Sequence, residues 1–231
     1  MKITLVIFTK NERRNCEKVY PRLPFSAVDK TFVIDGNSDD GTQEFWQAKN
    51  IPVLTQKYPG VGGAYESAFR HIKADGLIFF HPDGNMDPKD IPKFVDYLKQ
   101  GENFIIASRN LPGAINEEDQ FFFKPRKWFC QSLGLIARLF WGKGIRCTDV
   151  TQGFRALTKS AYQKLKIATP HPLAPDYEQV IRALKYEVSL AEFPTHEGKR
   201  LYGTSSMKSF PTGLANLKVL CRELFTHSPI T

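Results

Sequence analysis

No stretch of this 231-residue chain stays apolar for long enough to cross a bilayer. The run at Met1–Phe8 is too short for a signal peptide. The richest later run, Leu133–Trp141, is broken by Arg138 and falls far short of the roughly 20 residues a membrane helix needs. Cysteine is sparse as well: Cys16, Cys130, Cys147 and Cys221 form no Cys-x-x-Cys pair and no zinc-ligand spacing. That pattern excludes a zinc ribbon or a disulfide-stapled scaffold and predicts reduced thiols in a cytoplasmic protein. Acidic residues are in deficit, 24 against 32 lysines and arginines, which leaves a formal charge of +8. An anionic partner follows: a nucleotide, a phosphate or an acidic lipid. The basic residues are dispersed and no RNA- or DNA-reading motif accompanies them, so nucleic acid is not the expected partner. Repeats, low-complexity tracts and linkers are also missing, so residues 1–231 read as one continuous domain.

What is present is an alternation. Lys2–Phe8, Thr31–Ile34, Pro52–Thr55, Leu77–Phe80 and Asn103–Ala107 read as short buried strands. Helices at Asn11–Tyr20, Gln43–Lys49, Tyr65–Lys73 and Lys89–Gln100 separate them. Strands and helices at this spacing predict an α/β fold, a mostly parallel sheet sandwiched by helices. After Ser108 the alternation ends. A loop over 110–124 precedes a long helix at Pro125–Trp141, with proline in its first turn. Strands at Gly153–Leu157 and Val188–Phe193 and helices at Lys159–Leu165, Glu178–Lys185 and Leu214–Phe225 complete the chain.

The chemistry concentrates after the fourth strand. Leu77–Phe80 ends at His81-Pro82, because proline removes a ladder donor and biases its predecessor away from helix. Asp83, Gly84, Asn85 and Asp87 follow. If this segment stays extended, His81, Asp83 and Asn85 point to one side. They would lie beyond the carboxyl end of a strand, where open α/β sheets bind ligands. The three make a candidate site for a divalent cation, Mn2+ or Mg2+. A second acidic, glycine-containing loop, Asp35–Thr42, follows the second strand in the manner of a nucleotide-binding βα turn; within it Asp39 is expected to cap the next helix. The glycines of Pro59–Ala64 would allow close backbone approach to a ligand.

Six segments carry a family resemblance in order: Phe8-Thr9-Lys10-Asn11-Glu12; Val33–Thr42; Gly60-Val61-Gly62-Gly63-Ala64; Ala107-Ser108-Arg109; Asp149-Val150-Thr151-Gln152-Gly153-Phe154-Arg155; and Arg200-Leu201-Tyr202-Gly203-Thr204-Ser205. With these the chain resembles the family 2 glycosyltransferases of the GT-A (Rossmann-like) fold. The likeness is strongest to the dolichyl-phosphate mannose synthase and polyprenyl-phosphate glycosyltransferase branch, over roughly residues 3–210. Departures stand out. His81-Pro82-Asp83 replaces the family's Asp-x-Asp, which removes one negative charge. Lys10 replaces a tyrosine, and Ser206 replaces a lysine.

The resemblance implies transfer of a sugar from a nucleotide diphosphate to a polyprenyl phosphate or a glycan, with divalent-metal assistance. It divides the domain into a nucleotide-sugar-binding half (1–107) and an acceptor-binding half (108–231). Phe8, Thr9, Lys10, Glu12, Asp35, Gly63, Ala64 and Asp83 would meet the donor. Arg109, Arg126, Arg200 and Ser205 would meet the acceptor. Asp83, Asp149, Arg126 and Arg200 would carry catalysis, and His81, Asp83 and Asn85 would hold the metal. A phosphate acceptor is already anionic near neutral pH, with a second pKa of roughly 6, so it needs no general base. A sugar hydroxyl does need one; Asp149, Asp176 and Glu178 are candidates, with Asp149 preferred.

Phe121–Phe129 interleaves aromatics with Lys124, Arg126 and Lys127, a composition suited to peripheral contact with an anionic membrane face. The competing expectation is that at least two of these aromatics belong to the core. Two other activities fit parts of the pattern: a nucleotidyltransferase, and a nucleotide-sugar-binding protein with weakened catalysis.

Overall fold

The computed structural model describes residues 1–167, 170–204 and 208–226. Among these, seven strands form one sheet: β1 (Ile3–Thr9), β2 (Lys30–Asp35), β3 (Val53–Thr55), β4 (Gly76–Phe80), β5 (Phe104–Ser108), β6 (Arg155–Thr158) and β7 (Leu190–Pro194). Their order is β3-β2-β1-β4-β6-β5-β7. β1, β4 and β5 are buried along their whole length, which is why they read as unbroken apolar runs rather than alternating ones.

Two apolar layers cover the sheet. On one face, Leu5, Ile7, Ile78 and Phe80 pack against α1 (Arg13–Val19), α2 (Thr42–Ala48) and α4 (Ile91–Lys99). On the other, Val6, Phe8, Leu77 and Phe79 pack against α3 (Gly60–His71), α5 (Pro125–Trp141), α6 (Lys159–Lys164), α7 (Pro175–Lys185) and α8 (Ser209–Phe225). Successive residues of β1 and β4 thus alternate between the layers, as the two-residue period of a strand requires.

Three features go beyond the sequence expectations or against them. The first is strand order, which those expectations left open: β6 enters between β4 and β5 and runs antiparallel to both. Periodicity identifies a strand but says nothing about its neighbours or direction. The consequence is functional, because an antiparallel β6 brings the preceding residues 149–154 to the carboxyl ends of β4 and β5. It also means that the two halves divided at residue 107 share one sheet.

The second difference is α3, which begins at Gly60 and so takes in the glycine run. A Cβ on Gly63 would lie 2.0 Å from the Tyr58 carbonyl oxygen, and one on Gly62 would lie 2.5 Å from that of His171. These glycines admit the protein's own backbone rather than a ligand. Third, residues 82–85 form a turn rather than an extended segment. Gly84 has φ +97°, and a Cβ there would meet the Leu201 side chain at 2.6 Å.

Candidate active site

The carboxyl ends of β1 and β2 are joined through one carboxylate. Asp35 is fully buried. It accepts hydrogen bonds from Thr9 Oγ1 (2.7 Å), the Ser38 amide (2.7 Å), Ser38 Oγ (2.7 Å) and Gln43 Nε2 (2.7 Å). Three of these donors hold residues 36–43 on this one side chain, and the fourth, Thr9, ties it to β1. Asp39 does not cap the next helix: the N-cap of α2 is Gly41, without a side-chain bond, and Asp40 before it accepts from the amides of Thr42 and Arg13, both at 3.0 Å. Phe8 points into the core, 5.1 Å from the Tyr65 ring and 5.5 Å from His81. Ala64 is buried within α3, and Lys10 is exposed beside Gly36. Of the residues expected at the donor, Thr9 and Asp35 therefore bond each other, while Phe8, Gly63 and Ala64 serve packing.

At the end of β4 the turn brings together what extension was expected to align. His81, Asp83 and Asn85 all line a cleft of about 440 Å³. Asp83 Oδ1 accepts from the Asn85 amide (3.1 Å), and its Oδ2 accepts from Arg200 (3.1 Å). Arg200 also pairs with Glu12 and donates through Nε to the Tyr202 carbonyl (2.9 Å). Its loop is pinned over the turn by two backbone bonds: Gly198 N–H to Asn85 O (2.8 Å) and Leu201 N–H to Asp83 O (2.9 Å). A third bond, from the Tyr202 amide to Asn15 Oδ1 (3.0 Å), ties it to α1. Glu12, Asp83 and Arg200, expected variously at the donor, the metal and the acceptor, form one charged chain.

Arg109 and Asp149 form a second ionic unit. Arg109 grips Asp149 through Nε (2.8 Å), Nη2 (2.9 Å) and its backbone amide (3.0 Å), and reaches Glu197 through Nη1 (2.7 Å). Asp149 has no solvent exposure and is absent from the cleft wall. Burial pushes its carboxyl up, but the adjoining Arg109 guanidinium outweighs this and holds it below the usual carboxylate range. Burial likewise works against the Arg109 charge, and Asp149 and Glu197 together hold its pKa well above normal. Asp149, the base preferred for a sugar-hydroxyl acceptor, is thus buried and bonded to Arg109 as its anchor. Arg109 borders the cleft with its charge already matched by two carboxylates.

The cleft carries other cations. Arg126 lines it and makes no ion pair among the described residues. Lys127 lines it too, 2.5 Å from Asp119. Of the three candidate bases, Asp149, Asp176 and Glu178, it is Asp176 that lines the cleft: Tyr65 donates to it (2.8 Å), and the buried Arg155 lies 3.4 Å away. Glu178, by contrast, accepts from the His171 amide (2.8 Å) and pairs with Arg222 on α8, a structural role. Asn110 contributes a side-chain oxygen without a partner among the described residues. Asn110 and Glu197 were not singled out by their sequence, and Lys127 was expected at a membrane face rather than in the cleft. Glu197 had no local signal, since its partner lies 88 residues earlier. Ser205 lies outside the described residues.

An imidazole, a carboxylate and an amide oxygen are ligand types that suit Mn2+ and admit Mg2+. Among the described residues no group of three or more His, Cys, Asp or Glu side chains is placed to hold a metal ion, and Asp83 is the one acid among His81, Asp83 and Asn85.

A mostly parallel sheet, helices on both faces and a charged cleft at the strand ends define a nucleotide-binding type of α/β enzyme scaffold. Residues 4–166 match glycosyl transferase family 2, and the chain belongs to that family. It is 26% identical over 218 residues to the dolichol-phosphate mannosyltransferase of Pyrococcus furiosus, covering 90% of this chain and 60% of that protein. It is 25% identical over 194 residues to glycosyltransferase AglJ of Haloferax volcanii, covering 81% of this chain and 60% of that one. The chain therefore spans about 60% of the length of these relatives. Its fold matches glucosyl-3-phosphoglycerate synthase from Mycobacterium tuberculosis, solved with Mn2+ and UDP-glucose, at a TM-score of 0.71 and 17% identity. That match covers 96% of this chain and 78% of the synthase. The GT-A architecture is thereby shown.

Proposed function

We propose that this protein transfers a sugar from a nucleotide diphosphate to a polyprenyl phosphate or a glycan, aided by a divalent cation. The observation that carries the reading is convergence. His81, Asp83 and Asn85 share one cleft with Arg126, Lys127 and Arg200, residues from three separate parts of the chain. The pairing matches the demands of the reaction, which develops negative charge on a departing diphosphate and needs positive charge placed beside it. The relative named dolichol-phosphate mannosyltransferase and the synthase solved with UDP-glucose and Mn2+ support this assignment.

Asp83, with His81 and Asn85 beside it, would hold the cation, whose chemistry is charge stabilisation and orientation of the diphosphate. Thr9, Lys10, Glu12 and Asp35 border the nucleoside side. Arg126 is the acceptor-side cation available for a phosphate, with Arg200 between acceptor and donor. Arg109 acts from the wall, held in place by Asp149. A phosphate acceptor attacks without a base. For a glycan hydroxyl, Asp176 rather than Asp149 is the carboxylate placed to take the proton. The acceptor would be met at the cytoplasmic membrane face.

A thermal-shift series with UDP-, GDP-, CMP- and dTDP-sugars, each with and without Mn2+, tests the reading on wild type and Asp83→Ala. Stabilisation by one donor that requires the metal and disappears in Asp83→Ala is expected. A shift with no donor in either condition would overturn the assignment.

A further inference from the structure

The cleft opens between two helices. Arg126, Lys127 and Phe129 of α5 form one lip, and Thr212, Gly213 and Asn216 of α8 form the other. The helices touch where Gly213 faces the Phe129 ring; a Cβ on that glycine would sit 3.6 Å from it.

Both helices bury one side in the core and turn an apolar stripe outward. On α5, Trp128, Leu135 and Leu139 are exposed at spacings of seven and four, a single helical face. On α8, Phe210, Leu214, Leu217 and Phe225 form another, with Phe210 and Phe225 each 83% exposed. The turn before α5 adds Phe121, Phe122 and Phe123, and Phe122 is fully exposed. It joins α5 through the Phe123 and Trp128 rings, 5.1 Å apart. Phe129 alone among the five aromatics of this segment packs against the core, against the expectation that at least two would.

Positive charge predominates on this surface, although Glu117 and Glu118 line the cleft beside it. α5 contains no Asp or Glu and carries Arg126, Lys127 and Arg138. The one acid of α8, Glu223, is buried against Arg182 and Lys185, and Lys218 stands exposed beside the stripe. The nearest acid at the turn, Asp119, is taken by Lys124 (3.1 Å) and Lys127 (2.5 Å). A second copy of the chain would have to oppose like charges across this face. A bilayer rich in anionic lipid supplies both an apolar interior for the stripes and negative headgroups for the cations.

We propose that α5, α8 and the Phe121–Phe123 turn together form a docking face for an anionic phospholipid bilayer, with the cleft mouth turned towards the lipid. This deepens the acceptor reading above, since a lipid-borne phosphate would enter between the two helices. Its test reads binding rather than turnover.

Vesicle flotation of the full chain with phosphatidylcholine alone, or with about 30% phosphatidylglycerol, tests the proposal. Wild type is expected to float with the anionic vesicles and far less with the neutral ones. Phe122→Ser/Leu139→Ser/Phe210→Ser changes only exposed positions, so its thermal midpoint and donor-induced shift should stay put while flotation is lost. Arg138→Gln/Lys218→Gln should weaken anionic-vesicle binding by about 25-fold, roughly fivefold per charge. Failure of wild type to float, or unchanged flotation of the triple variant, would overturn the proposal. So would a wild-type dimer in sedimentation velocity that the triple variant abolishes, since the face would then be a protein interface. The donor shift is scored separately, so loss of the catalytic reading and loss of this one are told apart.

Discussion

Replacing Asp149 with asparagine separates two roles that a sequence motif cannot distinguish. The carboxylate is buried and receives three hydrogen bonds from Arg109, at 2.8, 2.9 and 3.0 Å. Asparagine keeps the shape but not the charge, and turns an amide N–H2 towards guanidinium donors. Arg109 would be left, mostly buried, with Glu197 alone. Breaking a buried ion pair by removing one partner costs about 3–5 kcal/mol. For a chain of this size each kcal/mol moves the thermal midpoint by about 2–4 °C, so a fall of about 6–20 °C is expected.

The pH dependence has a definite sign. In the fold the Asp149 carboxyl is lowered from its ordinary value of 3.8. Its contribution is therefore fully present above that value and is lost as pH falls through the lower folded-state value. The gap in thermal midpoint between wild type and Asp149→Asn should stay constant from about pH 8 to 5 and close below about pH 4. Differential scanning calorimetry across that range is the assay. An unchanged midpoint combined with a lost transfer rate would refute the reasoning, because that is how a solvent-facing general base behaves.

Two helix glycines should respond in opposite directions to the same change. Gly63→Ala drives a Cβ to within 2.0 Å of the Tyr58 carbonyl oxygen and should destabilise by about 1–3 kcal/mol in chemical denaturation. Gly134→Ala places its Cβ 3.4 Å from Val150, an ordinary contact, and should gain up to about 1 kcal/mol from helix propensity; equal effects at the two sites would count against the packing described for α3. Arg200→Gln removes the cation between Glu12 and Asp83, whose side chains are only partly buried. Its thermal midpoint should fall by less than about 4 °C, since partly solvated pairs contribute little. Sugar transfer should nevertheless drop at least about tenfold. A large loss of stability with a preserved rate in the folded fraction would make Arg200 a purely structural latch.

Much of the scaffold was legible along the chain. The apolar runs at Ile3–Thr9, Gly76–Phe80 and Phe104–Ser108 are strands buried on both faces, and such burial imprints itself on every residue. The proline-headed helix Pro125–Trp141 was legible to the residue, because N-terminal proline is a local signal. Helix starts that depended on packing were not: α3 absorbs glycines because Tyr58 and His171 press against them, and α7 begins at Pro175 rather than Glu178. His81, Asp83 and Asn85 reached one cleft by a turn instead of an extended segment.

The sequence by itself determined the α/β class, the family and the stretch after β4 whose His81, Asp83 and Asn85 line the cleft. Each of these rests on short-range patterns: alternation, turn chemistry and motifs a few residues long. Only the tertiary structure decided that β6 separates β4 from β5, that Asp149 serves Arg109 and Asp176 faces the cleft, and that α5 and α8 share one cationic, apolar surface. These are relations between residues tens to well over a hundred positions apart. A side chain's partner depends on which elements the collapsed core brings together, and no local pattern encodes that choice.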